Sequence, residues 1–123
     1  MTEEEGKARL REALSQIGWV AEAEEPQVNV IMRPEPRKYQ WSYIPVTHLS
    51  ILLTPASAPS MPAEELPFFI RTLLRRDPLE EPALHYDRDE TTGELMHLAI
   101  DLTYRCPREN LFSRIDSSSD KSE

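Results

Sequence analysis

Leu66, Phe69, Ile70, Leu73 and Leu74 recur at i, i+3, i+4, i+7 and i+8, the spacing of a helix with one buried stripe. At 100° per residue the stripe is roughly 140° wide, and Arg71, Arg75 and Arg76 fall on or near the other side. Burying five such side chains at ~1.5–3 kcal/mol each sets an upper limit of roughly 8–15 kcal/mol, so Leu66–Arg76 is predicted to be the helix the fold is built on. Thr2 and Glu5 have capping-box spacing, and a first helix follows with Leu10, Ala13, Leu14 and Ile17 inward and Gly18 ending it. Alternation then predicts strands at Trp19–Ala21 and Val28–Met32, separated by the turn-like Glu24-Glu25-Pro26-Gln27, with Val28, Val30 and Met32 on one face.

Arg33 to Pro45 holds three prolines with Tyr39, Trp41 and Tyr43, which suits an extended surface loop or an irregular edge strand. Its aromatics fit two readings, contact residues or a lid folded back on the core. Thr47–Thr54 reads as the central strand, apolar on both sides and stopped at Pro55. The proline-punctuated Pro55–Pro62 crosses over to the main helix, where Ser60 is placed to cap the first turn. Asp77-Pro78 ends that helix. Ala83–Asp87 and Leu95–Thr103 read as a second hairpin with its turn in Asp89–Gly93, and Met96, Leu98, Ile100 and Leu102 share its buried face. Pro107 at a first helical position opens a short last helix with Leu111, Phe112 and Ile115 inward. The predicted organisation is a single α+β domain over 1–116, an antiparallel sheet of about five strands, and a disordered tail at 117–123.

Charge narrows the classes of function. A net charge of −8 and a pI near 4.9 disfavour nucleic acid and anionic membrane surfaces as partners. The longest apolar run, Ile51-Leu52-Leu53, is too short to span a bilayer, and the acidic Met1–Glu5 is unlike a leader, so a cytoplasmic location is expected. Basic residues gather at Arg33–Lys38 and at Arg71, Arg75 and Arg76, leaving a small anion-binding patch as an alternative function.

Chemistry is sparse. Cys106 is the only cysteine, which rules out an internal disulfide and a cysteine-built zinc site. With three glycines there is neither a phosphate-cradling loop nor a nucleophile elbow. Glu22, Glu24, Glu25, Glu64, Glu65, Glu80, Glu81, Asp89 and Glu90 read as solvated surface. His85 and His97 face each other if the second turn centres on Glu90 to Thr92, with Asp101 on the same face, and polar surface is the reading taken over a metal site. The expectation is therefore no enzyme, no cofactor and no metal.

The order helix, three strands, helix, two strands, helix, with the stretch Glu65 to Leu74, then Leu84-His85-Tyr86-Asp87, Thr92-Gly93-Glu94-Leu95 and Leu98-Ala99-Ile100-Asp101-Leu102, resembles the YbjN-like and type III secretion chaperone-like superfamily. The likeness is best over Leu66 to Ile115. It implies a type III secretion chaperone-like fold and a small acidic homodimer that binds an intracellular protein client and catalyses nothing. Phe68 lies at about 200° on the wheel from Leu66, opposite the buried stripe. That ring either tucks under the proline-rich crossover or, as the resemblance implies, joins Arg71 and Thr72 in a twofold interface, leaving Tyr39, Trp41 and Tyr43 for a client.

Overall fold

The computed structural model describes residues 2–35 and 40–115, without the side chains of residues 33 and 35, so Tyr39 and the predicted tail lie outside the described residues. Helix α1 (Glu3–Gln16) opens on the expected capping box: the Thr2 hydroxyl accepts the Glu5 N–H, and the Glu5 carboxylate accepts the Thr2 N–H at 2.9 Å. It ends at Ile17, and Gly18 turns the chain with φ +89°. A Cβ on Gly18 would stand 2.5 Å from the Pro59 Cα, so glycine serves both the backbone angle and the approach of the crossover loop.

Strand β1 (Trp19–Glu35) is one unbroken strand of 17 residues, which corrects the expected pair with a turn at Glu24–Gln27. Two features carry the chain through that stretch. The Glu24 carboxylate, 7% exposed rather than solvated, accepts two hydrogen bonds from Arg11 Nε at 3.0 and 3.1 Å. Pro26 lies on a sheet edge, where a missing N–H breaks no ladder bond. An extra residue between Ala21 and Ala23 bulges the strand and shifts its facing.

Strand β2 (Gln40–Pro55) takes in residues before Pro45 whose composition fits either a loop or an irregular edge strand, and it pairs antiparallel with β1 from Trp19↔Pro55 to Glu35↔Gln40. The 3₁₀ turn Ala63–Glu65 leads into α2 (Leu66–Leu74), followed by β3 (Ala83–Arg88) and β4 (Leu95–Tyr104). The sheet has four antiparallel strands in the order β1-β2-β4-β3, not five, because the fused β1 removes one. The architecture is α+β.

One face of the sheet is covered. Leu49, Ile51 and Leu53 of β2 and Leu98, Ile100, Leu102 and Tyr104 of β4 form one cluster with Leu10 and Leu14 of α1 and Leu66, Ile70 and Leu74 of α2. Phe69 and Leu73 complete the α2 stripe, partly buried. Leu52 is exposed on the opposite face, so the central strand is apolar on both sides but buried on one. Arg75, at φ 56°, stops α2 before Asp77-Pro78 is reached, and Ser60 donates to the Ile17 carbonyl instead of capping a helix. Leu111, Phe112 and Ile115 are buried as expected, but the last helix is only a 3₁₀ turn, Arg108–Asn110, with Pro107 at its cap.

That last segment is tied to the first helix. Arg108 donates from Nε and Nη2 to the Glu3 carboxylate, each at 2.8 Å, and these bonds with help from Lys7 hold the Glu3 carboxyl down to about 2. The folded value lies below the unfolded one, so this contribution is full above about 4.5 and is lost as pH falls through about 2. Glu3→Gln is therefore expected to flatten stability against pH between those values, as read by urea midpoints, and added salt is expected to shrink the wild-type slope. An unchanged slope in the variant would show that the pair contributes nothing.

Candidate functional site

β4 pairs with β2 only as far as Thr47↔Tyr104, so β1 from Asn29 and β2 up to Val46 continue as a two-stranded arm. Because strand side chains alternate, the register sets Val28/Thr47, Val30/Pro45, Met32/Tyr43 and Pro34/Trp41 on one face, the face that continues the core. Thr47 is buried and donates to the Cys106 carbonyl at 2.7 Å. Beyond it the face is flanked but not buried: Arg105, Cys106 and Pro107 share a hollow of about 480 Å³ with Pro34, Tyr43 and Pro45, and Val28, Val30, Met32, Trp41 and Tyr43 are between 52% and 71% exposed. On the other face Ile44 and Val46 are buried, apart from the main cluster. The arm is thus sided: Ile44 and Val46 are buried on one face, and an apolar strip stands in water on the other.

An isolated two-stranded ribbon is marginal in water, and large exposed apolar patches on a monomer mark interaction surfaces. At the base of the strip is a hollow of about 410 Å³ lined by Val28 and Phe112 together with Thr2, Glu3, Arg108 and Glu109. Its walls are set by Gly6 of α1, where a Cβ would lie 2.3 Å from the Phe112 Cβ, so only glycine lets the last segment seat there.

Trp41 and Tyr43 are exposed on a strand, and they do not close over the core as a lid. Sequence reasoning missed Val28, Val30 and Met32 as their companions. Their shared face was legible from alternation, but not that the core ends before it reaches them.

Phe68 is 65% exposed on α2, as the helical wheel required, and it is not tucked under the crossover. It has a partner within the chain: the Arg71 guanidinium lies 4.9 Å from the ring centroid, and the Thr72 hydroxyl donates to the Phe68 carbonyl. Arg71 also donates to Asp77 at 2.9 Å. The three residues therefore meet on one corner, about one ring wide and some distance in sequence from the arm.

The remaining candidates do not converge. The turn of the second hairpin centres one residue further along than expected, at Thr92, which sets His85 opposite Ala99 and Asp87 opposite His97. His85 Nε2 lies 3.2 Å from Asp101 Oδ2, and His97 Nδ1 lies 3.3 Å from Asp87 Oδ2, as separate pairs. Asp101 also accepts from the Ser50 hydroxyl at 2.6 Å, so the carboxylate stands between serine and histidine and cannot orient that imidazole as a base for Ser50. No group of three metal-ligating side chains occurs among the described residues. Burial pushes the Cys106 thiol up, away from the thiolate a nucleophile needs. A wider groove of about 650 Å³ lies where Trp19, Met61 and Tyr86 meet, and its Tyr86 hydroxyl donates to Glu64 at 3.2 Å. Of the basic residues, Arg76 donates to the Asn110 carbonyl and to Ser113, while residues 36–38 and the Arg33 side chain lie outside the described set.

No helix among the described residues is long and apolar enough to cross a membrane. Neither a protein-family model, nor a curated protein, nor a solved structure matches the chain.

Proposed function

We propose that the chain is a non-enzymatic protein-binding module, chaperone-like or regulatory, that works as a homodimer on a protein client. The observation that supports this is the uncovered face of the arm: five large apolar side chains in register on two strands, more than half exposed. Such a surface is costly in water and specific to a macromolecular partner, since it offers few polar groups to orient a small substrate. The Phe68 corner with Arg71 and Thr72 is a second, smaller exposed apolar point. Two surfaces answer to the two contacts the reading needs, copy to copy and copy to client. The likeness to type III secretion chaperone-like domains belongs to the same reading, and its element order differs from the observed one by a strand and by the last helix, here a 3₁₀ turn.

Photo-crosslinking in living cells tests the reading. A benzophenone amino acid in place of Tyr43 or of Phe68 is expected to give protein adducts, and one in place of the exposed turn residue Thr91 is not. Absence of protein adducts at both Tyr43 and Phe68 would sink it.

A further inference from the structure

We infer that the apolar face of the arm is the seat of a second copy of this chain, two arms lying face to face about a twofold axis with their tips in opposite directions. This deepens the proposed function and rests on it, by naming the occupant of the arm. Four observations lead to the second copy.

The first is the gradient of size along the face. Trp41, Tyr43 and Met32 crowd the tip, whereas Val28, Val30, Pro45 and Thr47 occupy the base. Paired positions two residues apart are about 7 Å apart, so Pro34/Trp41 and Val28/Thr47 are about 20 Å apart. A twofold axis between Val30/Pro45 and Met32/Tyr43 therefore lays each tip on the other's base, large side chains over small ones, as interdigitating faces require. The arm is complementary to its own reverse.

The second is the hollow at the base. The Pro34/Trp41 pair of one copy arrives over the Val28/Thr47 pair of the other, beside the space of about 410 Å³ that Val28 and Phe112 line. An indole has the apolar Val28 and Phe112 to cover there, with Thr2, Glu3, Arg108 and Glu109 lining the same hollow.

The third is charge. In a chain of net charge −8, the eight positions Val28, Val30, Met32, Pro34, Trp41, Tyr43, Pro45 and Thr47 hold no ionisable group except the Tyr43 phenol. Two copies meet here without setting carboxylate against carboxylate.

The fourth is area and edge. The five exposed side chains leave on the order of 600 Å² per copy in water, and Pro34 and Pro45 extend it toward the ~800 Å² that each side of a stable pair contributes. Strand addition at the arm's edge is the competing geometry, and the prolines oppose it. Pro26, Pro34 and Pro45 all sit at one parity of the ladder, so each removes a donor from an outer edge and none from the β1–β2 pairing. The face is offered and the edge is blunted.

Sedimentation of the purified chain at tens of micromolar is expected to show a dimer, with Met32→Asp and Tyr43→Asp each weakening it at least tenfold while leaving the far-ultraviolet circular dichroism of the fold in place. Phe68→Asp is expected to leave the dimer intact. In a Cys106→Ser background, mixing Pro34→Cys or Trp41→Cys chains with Val28→Cys chains is expected to give a disulfide-linked heterodimer in at least one of the two mixtures, which reads the antiparallel overlap directly and does not depend on the aspartate variants folding. A monomer overturns the inference, as does a dimer that survives Met32→Asp or is broken by Phe68→Asp, or the absence of heterodimer from both mixtures. A monomeric purified chain that still crosslinks to a foreign protein at Tyr43 sinks the second copy and leaves the protein-binding reading standing. A monomer with no adducts sinks both.

Discussion

Trp19→Ala is expected to cost roughly 3–5 kcal/mol, the largest loss from any single truncation in this chain. The indole is among the largest fully buried side chains, and it sits at the first residue of β1, where the turn after α1 delivers the chain into the sheet. Its N–H donates to the Met61 carbonyl at 2.8 Å, across 42 residues of sequence. One side chain thus fills space in the core cluster and ties the crossover that leads to α2 to the start of β1. Alanine would leave a cavity, and it would also leave the Met61 carbonyl without its donor. Trp19→Phe separates the two terms, since it keeps most of the volume and loses only the hydrogen bond, for about 1–2 kcal/mol. Urea titration of the three proteins checks both figures; an alanine variant within 1 kcal/mol of wild type would place Trp19 outside the core.

Gly6→Leu is expected to destabilise by roughly 3 kcal/mol, against the sign that helix propensity alone assigns. Glycine inside a helix is about 1 kcal/mol worse than alanine or leucine, so on an exposed helix face the change would stabilise. Gly6 is buried, and any Cβ there would overlap Phe112 at its Cβ and Cγ, 2.3 and 2.4 Å away. Those atoms are held by the backbone and are not the free end of a flexible side chain, so α1 or residues 108–115 must move. Gly6→Ala tests the direction: a stabilised alanine variant would show that the last segment does not press on α1. Since Phe112 also walls the hollow below Val28, Gly6→Leu is expected to weaken pairing of copies as well as the fold.

Where local signals and tertiary structure agreed, the sequence was readable. The Thr2/Glu5 box, the Gly18 stop and the Leu66, Ile70, Leu74 stripe are each written within a few residues, and each forms as expected. The second hairpin was readable except for its register, which depends on where Asp89 accepts the Thr91 and Thr92 N–H groups and on a shift between Asp87 and Arg88. What was hidden depended on distant partners. Glu24-Glu25-Pro26 has the composition of a turn, and only Arg11, reaching from α1, makes a buried carboxylate there tolerable. The arm was obscured because Pro34, Pro36 and Pro45 are loop signals by composition, and a proline on the free side of a ribbon leaves no local trace. Trp41 and Tyr43 stood out by residue type, whereas Val28, Val30 and Met32 look like ordinary core until the extent of β4 is known.

The clasp between Glu3 and Arg108 joins residues 105 apart, and Gly6 and Phe112 meet beside it. Closing a flexible loop that long costs on the order of 4 kcal/mol in chain entropy, so the clasp forms late, once the sheet between them has shortened the path. Emerging from a ribosome, the arm and its exposed strip are complete some seventy residues before Phe112 is available to wall the hollow beneath Val28. A nascent or truncated chain therefore displays a tip with no matching base. On the pairing inferred above, assembly through the arms is expected to wait for the finishing of the fold, and half-made copies are expected to be poor partners for whole ones.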